Sequence, residues 1–506
     1  MTIFASIYEF CEPSKSSSSR DLWRSICADL SSRFPDAYRF DEGQQFKVTL
    51  KNEMLVSPSR ALARRRVIKV SIRRASGKPS LLDISVRNQF SSISSQYCDP
   101  ISDISDKYPN EVRWINSAQK IPLAEHLRLI NLFLLNSNTA GWPFTPAQLE
   151  VCTLPAARIR NNRSEFVYGE VSRAKLIKDP YKDLEANVNF VVGSTDFEQA
   201  RIVADRLQTS VAGLLGRSSC RVPNVFARPQ LSQGDVNLWV LRDDCDLGEL
   251  PELRAKIRDA EERGINFKLC KFGSTSNPAA LVNIAYDMCL IGGLIPYLPV
   301  IETPNICSVD AGHSHKRQTS RWVYVESVGT PVISRVKVFD TKLAENLPDC
   351  LFDSFWPESE GTIFCRDGRF SRERAHFESR ARSENKELVE CKKSPASIIW
   401  RSVGEGVFPS VAGDCVIDPH GELLLQTINS VINDYTRPMR LRVHSPEALD
   451  IATKFYQHQA MPGLSLFNSS RLPGTLYYAD LISKVTSTGW PKVVGRGLNL
   501  AKIIPD

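Results

Sequence analysis

The sequence lacks the closely spaced cysteines that zinc fingers, zinc ribbons and thioredoxin-like proteins use. Its 13 cysteines are scattered over 506 residues, and no two of them form a Cys-X-X-Cys pair. Their number is odd and several stand in apolar runs, so we expect reduced thiols in the core of a cytoplasmic protein. The N-terminus also lacks the basic segment of a signal peptide and instead carries Glu9 and Glu12.

An uninterrupted apolar run long enough to cross a membrane is also missing. Residues 281–300 come closest, since they are almost wholly apolar over about 20 positions, the length that a bilayer needs. Asp287, the pair Gly292–Gly293 and two prolines interrupt this stretch. The pattern predicts a buried helix that ends at the glycine pair and continues into a strand, in a protein with no membrane partner.

Neither the composition nor the charge is extreme. The chain is 42% hydrophobic and 24% charged, which excludes a disordered, collagen-like or secreted mini-protein. At about 150 residues per domain, its length predicts three or four domains. The net charge of +7 is compatible with binding to nucleic acid without being diagnostic of it.

One segment concentrates positive charge. Residues 58–78 contain eight basic residues and no acid, and within them the run RRRVIKVSIRR alternates basic with β-branched residues. This alternation predicts a half-buried strand with a basic outer face. A strand face that is merely solvated fits the pattern as well as one that binds phosphates. The candidate contacts to a nucleic-acid backbone are Arg64, Arg65, Arg66, Arg73 and Arg74.

Residues 187–300 alternate between predicted strands and helices. NVNFVVGS, VNLWVLR and INFKLCKF are typical of buried strands. Strands separated by helices predict a parallel, doubly wound sheet, which binds ligands where its strands end. The helices are expected over Thr195–Gly216 with Thr195 or Ser194 as N-cap, over Glu249–Gly264, and from Asn277 or Pro278 to Gly292.

The C-terminal part places acids at the ends of predicted elements. Asp310 ends the strand ICSVD, Asp367 ends the strand TIFCRD, and Asp480 lies in the helix YYADLIS. Carboxylates from two strands and a helix over one sheet would bind two divalent cations, which activate water in phosphodiester cleavage. Hard oxygen ligands suit Mg²⁺. Aspartate is also common at strand ends and caps, so the spacing alone leaves a structural role open.

Several segments resemble, in order, the MID and PIWI halves of a prokaryotic Argonaute. LPAARIRNN and LIKDPYKD resemble the approach to MID, and NPAALVNIAYDMCLIGGLIPYLP resembles the connection between MID and PIWI. SVDAGHSH and FCRDGRFSRE resemble the PIWI strands that carry its first two aspartates, and VECKKS resembles the next strand. GDCVIDPHGELLLQT and RLPGTLYYADLIS resemble the end of PIWI, where the last acid stands.

The resemblance implies a fold class and a domain organisation. The class is α/β, with a Rossmann-like MID domain, an RNase H-like PIWI domain and a mixed α+β N-terminal region. The residues before 154 are too few for the N, linker and PAZ set of a long Argonaute, so no PAZ domain is expected. The implied domains are a basic N-like domain over 1–110, a linker over 111–153, MID over 154–300 and PIWI over 301–506.

The same resemblance implies the catalytic acids. They fall on Asp310, Asp367 and Asp480, which would hold Mg²⁺ or Mn²⁺. The family's remaining glutamate stands on a finger between the first two aspartates; Glu345 is the best candidate, and Glu326, Glu358 and Glu360 compete with it. His313 and His315 could join Asp310 in a metal cluster, although polar residues at the start of a turn are the simpler interpretation.

The expected pocket for the guide 5′ end departs from the family pattern. A typical MID domain holds a 5′ phosphate with an aromatic or basic residue, a lysine four residues later, a glutamine, and a lysine before the Gly-Gly turn. Here Glu252 stands at the first position and Leu290 at the last. The pocket therefore uses other cations or prefers another end, such as a 5′ hydroxyl. Its candidate residues are Arg254, Lys256, Lys268, Lys271 and the C-terminal Asp506.

In function, the resemblance implies guide-directed recognition of a complementary strand. Metal-dependent endonucleolytic cleavage of the target, in defence against invading DNA, is the expected outcome. The alternative is a catalytically inactive short Argonaute that binds guide and target and activates a separate effector protein. An α/β protein without a guide is the third possibility. No residue pattern distinguishes DNA from RNA for either strand.

Overall fold

The computed structural model describes residues 2–11, 18–40, 46–93, 111–118, 120–181, 188–216, 221–243, 265–301, 305–314, 318–329, 333–370, 372–393, 395–428, 438–444, 447–461, 472–488 and 503–505. Its strands are β1 Thr2–Ala5, β2 Ile7–Phe10, β3 Tyr38–Arg39, β4 Lys47–Val56, β5 Leu62–Arg73, β6 Ser80–Ser92, β7 Thr145–Pro146, β8 Glu150–Thr153, β9 Arg158–Arg160, β10 Glu165–Val167, β11 Phe190–Ser194, β12 Val225–Ala227, β13 Val236–Leu241, β14 Asn266–Lys271, β15 Leu298–Pro299, β16 Ile306–Ser314, β17 Thr319–Ser327, β18 Arg335–Lys342, β19 Ile363–Asp367, β20 Glu387–Lys392, β21 Ile399–Val403, β22 Gly406–Pro409, β23 Asp414–Ile417, β24 Leu423–Leu425, β25 Met439–Val443 and β26 Ile503–Pro505. Its α-helices are α1 Ser19–Arg33, α2 Val112–Ala118, α3 Leu123–Thr139, α4 Arg173–Leu176, α5 Phe197–Leu215, α6 Pro278–Ile291, α7 Arg374–Ser383, α8 Ala448–His458 and α9 Gly474–Thr488.

The chain divides into two compact units, each built from separate stretches of sequence. The first comprises Met1–Leu154, Lys392–Thr427 and Val431–Arg442, and the second comprises Pro155–Cys391, Ile428–Ser430 and Val443–Asp506. The division after Leu154 coincides with the expected start of MID. The domain boundaries at 110, 153 and 300 stay a prediction, because contact-defined units do not test family domains.

The first unit centres on an antiparallel sheet with the strand order β3-β4-β5-β6-β2-β7. Alternating apolar residues of β5, such as Ile68 and Val70, face a core that Trp23 of α1 and Phe133 of α3 complete. The run RRRVIKVSIRR is thus a strand, as its alternation indicates. The three-stranded sheet β1-β21-β22 and four further strands in the order β25-β24-β23-β8 bring residues after 392 into this unit.

A parallel four-stranded sheet in the order β12-β11-β13-β14 opens the second unit. The helices α5 and α6 pack on it through wholly buried side chains such as Leu207 and Met288. The helix α6 begins at Pro278, one of the two expected starts, and Asn277 caps it by accepting hydrogen bonds from two backbone N–H groups. The cap of α5 is Asp196 rather than Thr195 or Ser194, because its carboxylate reaches the N–H groups of the first turn. The helix expected over Glu249–Gly264 lies outside the described residues.

The apolar stretch 281–300 is a buried helix followed by a short strand, as its pattern predicts. The helix α6 ends at Ile291, and the chain turns at Gly293, whose φ of +91° favours glycine. The strand β15 follows. None of the helices in the described part of the chain is long and apolar enough to span a bilayer.

The second unit continues with six strands of a ten-stranded mixed sheet, in the order β26-β18-β17-β16-β19-β20. The strands β16, β17 and β18 pair antiparallel, whereas β19 and β20 are added in parallel to β16. The helix α9 contributes Tyr478 to the core on one face, and α7 contributes Phe377 to the core on the other. A three-strand antiparallel meander extended by parallel strands, with helices on both faces, is the RNase H-like topology. The α/β fold class is therefore confirmed.

Candidate active site

Asp310 lies in the middle of β16. The strand was expected to end at this acid, but it continues to Ser314 because β17 pairs with it over nine consecutive residues. Val309 and Trp322 belong to the core on one face of the sheet, so Asp310, one position further along, points to the face that α9 covers. Its Oδ1 accepts a hydrogen bond from the N–H of Ala311 at 2.8 Å.

Asp367 is the last residue of β19, as the sequence predicts. The parallel register pairs Val309 with Arg366, which brings Asp367 beside Asp310 on the neighbouring strand. Gly368 follows with a φ of +87°, and its N–H donates to the carbonyl of Cys391 at 2.8 Å. A residue with a side chain would be strained there, so this glycine fixes the turn that presents the carboxylate.

Asp480 stands on α9, as the helical pattern indicates. The hydroxyls of Thr475 on this helix and Ser308 on β16 share a buried hydrogen bond of 2.8 Å. At the start of the helix, the N–H of Gly474 donates to Nδ1 of His458 at 3.1 Å. These two contacts set the position of α9 over the sheet and therefore the position of its carboxylate.

The three aspartates form one group. One carboxylate oxygen from each of Asp310, Asp367 and Asp480 lies within 4.8 Å of the other two. Asp310 is buried and the others are partly buried. Three hard oxygen ligands at this spacing fit Mg²⁺ or Mn²⁺, which share carboxylates and complete their coordination with water.

The glutamate candidates lie elsewhere. Within the part of the chain that the structure describes, no glutamate belongs to the group of close carboxylates. Glu345 is exposed in the turn after β18, and its assignment to the finger stays a prediction. Glu326 stands opposite Cys307, three positions along the strand from the partner of Asp310. Glu326 and Glu358 both pair with Arg335, at 3.7 and 2.7 Å.

The histidines do not join the aspartates in the described structure. His313 lies on β16, where its Nδ1 is 2.9 Å from Oγ of Ser320 and its ring meets Trp322 edge to face. This position is in a strand rather than at the start of a turn. His315 lies outside the described residues.

A buried ionic cluster behind the aspartates was not anticipated from the sequence. Arg366 alternates with Asp367 and so points to the opposite face, where its guanidinium contacts the wholly buried carboxylate of Glu373. Trp322 and Phe370 flank the guanidinium at 5.7 and 5.8 Å. Burial lowers the pKa of Arg366 to about 10, against the opposing effect of nearby carboxylates that include Asp310 and Asp367.

Glu390 completes this cluster. It stands opposite Arg366 on β20, and its Oε1 accepts the N–H of Phe370 at 2.9 Å. The Arg-Asp-Gly motif and the following glutamate were visible in FCRDGRFSRE. The period of two along the strand could have indicated that Arg366 faces away from Asp367, but it does not identify Glu373 as the partner of Arg366.

The candidates for the guide 5′ end are only partly described. Lys268 is buried, and its ammonium contacts the buried carboxylate of Asp287 on α6. Burial lowers the pKa of Lys268 to about 8. Lys271 is exposed, and its ammonium donates to the carbonyl of Asp243 at 3.3 Å. The other candidates, Arg254, Lys256 and Asp506, lie outside the described residues, and so does Glu252.

The arginines of the basic strand are less exposed than the expected basic outer face requires. Arg66 and Arg73 are buried, and their guanidinium groups bind carboxylates: Arg66 contacts Glu53 at 3.0 Å and also Glu125. Arg64 is buried as well, and burial lowers its pKa. Arg65 is partly exposed and Arg74 is exposed. The prediction of backbone contacts therefore stays open for Arg65 and Arg74, while Arg66 and Arg73 serve structural ion pairs.

A parallel sheet followed along the chain by an RNase H-like sheet with clustered aspartates defines the fold of the Argonaute and Piwi proteins, and comparison with solved structures confirms this fold. The chain is similar to Clostridium butyricum Argonaute bound to a guide DNA and a 19-mer target DNA, with a TM-score of 0.71 and 13% identity over 95% of this chain and 88% of that one. It is also similar to Marinitoga piezophila Argonaute in complex with a 5′ OH guide RNA (TM-score 0.66, 12% identity, 94% and 86% covered) and to Drosophila Piwi (TM-score 0.66, 11% identity, 97% and 85% covered). No family model and no curated protein sequence matches the chain.

Proposed function

We propose that this protein binds a short guide strand and uses it to recognise a complementary nucleic acid. Solved structures with the same fold contain a guide DNA with a target DNA, or a guide RNA with a target DNA, and they align with more than nine tenths of this chain. In such a complex, base pairing supplies sequence specificity, and the protein holds backbone phosphates and helix shape. The absence of a PAZ domain and the division into MID and PIWI belong to this proposal.

The grouped aspartates carry the second part of the proposal, which is cleavage of the recognised strand. Asp310, Asp367 and Asp480 would hold two Mg²⁺ or Mn²⁺ ions, and such ions activate a water and stabilise the leaving oxygen of a phosphodiester. The protein's own part is to fix the three carboxylates through β16, the Gly368 turn and α9. The proposed biological role is defence against invading DNA in the cytoplasm.

The test compares Asp367→Asn with Asp340→Asn. Asp340 is an exposed acid on β18 that pairs with Arg321 at 2.8 Å, so it provides a matched change outside the site. Wild type and Asp340→Asn loaded with a matched guide are expected to cut a complementary strand only when Mg²⁺ or Mn²⁺ is present. Asp367→Asn is expected to bind guide and target equally well and to leave the target intact. Metal-independent cleavage, or equal cleavage by Asp367→Asn, would contradict the proposal.

A specific observation favours a second candidate function. The close carboxylates in the described structure include no glutamate, so the site holds three acids where the family's catalytic set has four. A protein that binds guide and target without cutting, and then activates a separate effector protein, accounts for this. Intact target after incubation of wild type with each guide chemistry and each metal, together with guide-dependent target binding, would favour this candidate.

The most detailed part of the proposal concerns how the protein recognises the 5′ end of the guide. With Lys268 engaged by Asp287 and an apolar Leu290 before the glycine turn, Lys271 is the exposed cation among the described candidates. We expect a preference of about 10- to 150-fold for a 5′ phosphate over a 5′ hydroxyl, because one charge-assisted contact contributes about 1.5–3 kcal/mol. Competition between the two guides for wild type and Lys271→Gln measures this preference.

A further inference from the structure

Two cysteines of the first unit face each other across neighbouring strands. The antiparallel register of β8 and β23 pairs Cys152 with Cys415, and the flanking pairs are Val151 with Val416 and Thr153 with Asp414. A hydrogen bond of 3.3 Å from Oγ1 of Thr153 to Oδ1 of Asp414 confirms the register at the level of side chains. Directly opposite residues in such a pair project from the same face of the sheet, so the two thiols are neighbours.

The spacing suits a covalent bond. Cα atoms of directly opposite residues in antiparallel strands lie about 4.5–5.5 Å apart. Disulfides form between cysteines whose Cα atoms are about 4.4–6.8 Å apart. Each thiol also acts as the hydrogen-bonding partner of the other. In the registers of the described strands no other two cysteines are paired: Cys270 faces Val240, Cys307 faces Glu326 and Cys365 faces Val389.

We infer that Cys152 and Cys415 are a redox modification site that closes to an intramolecular disulfide in the presence of a low-molecular-weight disulfide oxidant. The two cysteines belong to the first unit and the proposed carboxylate site belongs to the second, so the inference is independent of the proposed function.

The two thiols differ in exposure and in pKa, as disulfide formation in two successive steps requires. Cys152 is partly exposed and Cys415 is buried. The hydrogen bond from Cys415 lowers the pKa of Cys152, and the same bond together with burial raises the pKa of Cys415. The more acidic and more accessible thiol is the one that meets the oxidant first, since the thiolate is the nucleophile.

The reaction proceeds in two balanced exchanges. The Cys152 thiolate attacks one sulfur of the small disulfide, whose S–S bond breaks and releases one small thiolate. Cys415 then loses its proton to solvent and attacks the Cys152 sulfur, which forms the protein disulfide and releases the second small thiolate. Two protein thiols are oxidised, and one small disulfide is reduced to two small thiols.

Closure would tie together distant parts of the chain. The adjacent pair Thr153 and Asp414 is 261 residues apart in sequence. A crosslink over a loop of that length removes much of the freedom of the unfolded chain. The bond would also anchor β8, which ends immediately before the second unit begins at Pro155.

The experiment treats the full chain with oxidised glutathione and follows it by intact mass, peptide mapping and thermal unfolding. We expect a mass loss of two hydrogens, a crosslinked peptide that contains Cys152 and Cys415, and a rise in Tm of about 5–10 °C. Reduction should reverse all three. Cys152→Ser and Cys415→Ser should each abolish the crosslink and the Tm shift, whereas Cys350→Ser, at an exposed cysteine elsewhere, should retain both. A persistent glutathione adduct on Cys152 with an unmodified Cys415, or a crosslink to another cysteine, would overturn the inference.

Discussion

Each unit of the protein holds three carboxylates close together, and the two groups are built differently. In the first unit, the buried Asp83 and Asp418 and the half-buried Glu422 contact the guanidinium groups of Arg73 and Arg440. In the second unit, the oxygens of Asp310, Asp367 and Asp480 converge on one another within 4.8 Å.

The difference separates a structural cluster from a candidate metal site. Arg73 binds Asp83 at 2.8 Å and Asp418 at 2.6 Å, and Arg440 binds the same two carboxylates at 2.8 Å. The fixed fork of a guanidinium satisfies carboxylate oxygens in place and leaves no room for a cation. Carboxylates that converge on one another instead gain most from a shared divalent ion. The same residue type therefore carries different chemistry according to what its oxygens face.

The largest expected effect is on cleavage. Asp480→Asn removes one charge and one hard oxygen ligand from the second group while preserving shape, so we expect cleavage to fall by at least about 1000-fold. Because the change also relieves repulsion between like charges, the metal-free variant should be no less stable than wild type. Single-turnover cleavage and thermal unfolding in EDTA measure the two effects. Substantial residual cleavage, or a clear loss of stability without metal, would place Asp480 in a structural role.

The same substitution in the first group should have the opposite consequence. Asp418→Asn leaves Arg73 and Arg440 buried with less negative charge, which should lower the free energy of unfolding by about 3–5 kcal/mol. Denaturant unfolding measures this loss, and cleavage by the remaining folded protein should be close to that of wild type. If Asp418→Asn and Asp480→Asn changed stability alike, the distinction between the two groups would fail.

Divalent metal should stabilise the protein through the second carboxylate group and not through the first. At a free Mn²⁺ concentration of about 100 times the dissociation constant, binding to the second group should stabilise the wild-type protein by about 2.7 kcal/mol, because the ion binds the folded state and not the unfolded state. Asp480→Asn should abolish this gain, whereas Arg335→Gln, which breaks the ion pairs with Glu326 and Glu358, should keep it. Thermal unfolding with and without Mn²⁺ is the measurement. An equal gain in Asp480→Asn would mean that the metal binds elsewhere.

The first group also shows where reasoning from sequence fails. The alternation in RRRVIKVSIRR predicts the strand β5 correctly, because the period of two is a local property of the backbone. It cannot predict that Arg73 is buried between carboxylates, because one of its partners, Asp418, is 345 residues away in the chain. An arginine on a strand looks the same in sequence whether it faces solvent or a carboxylate from a distant segment.

The second group was more predictable, and the reason is again physical. Asp367 and Asp480 lie where their local patterns indicate, at a strand end and within a helix. Asp310 was expected to end a strand that in fact continues to Ser314, because pairing with β17 extends it past the acid. Arg366 alternates with Asp367 along β19, but its contact with Glu373 is visible only in the folded structure. Local patterns and the resemblance to Argonaute pointed to these acids, whereas the partners of the charges around them depend on the three-dimensional pairing of distant segments.

The smallest expected effect concerns pH and the start of α9. Burial lowers the pKa of His458 from 6.5 to about 3, so in the folded protein its ring is neutral while Nδ1 accepts the N–H of Gly474. Between these two pH values the unfolded chain binds a proton that the folded chain does not, and the free energy of unfolding falls as the pH falls below about 6.5. The slope contributed by this one group is at most about 1.4 kcal/mol per pH unit. Asn at this position can accept the same hydrogen bond without titrating, so His458→Asn should flatten the dependence of the free energy of unfolding on pH between about pH 6.5 and pH 5. This window lies above the range in which Asp83 and Glu422 titrate in the folded protein, because their pKa values lie below 3.8 and 4.5. An unchanged slope in that window would show that His458 is protonated in the folded protein and does not hold α9 as a neutral acceptor.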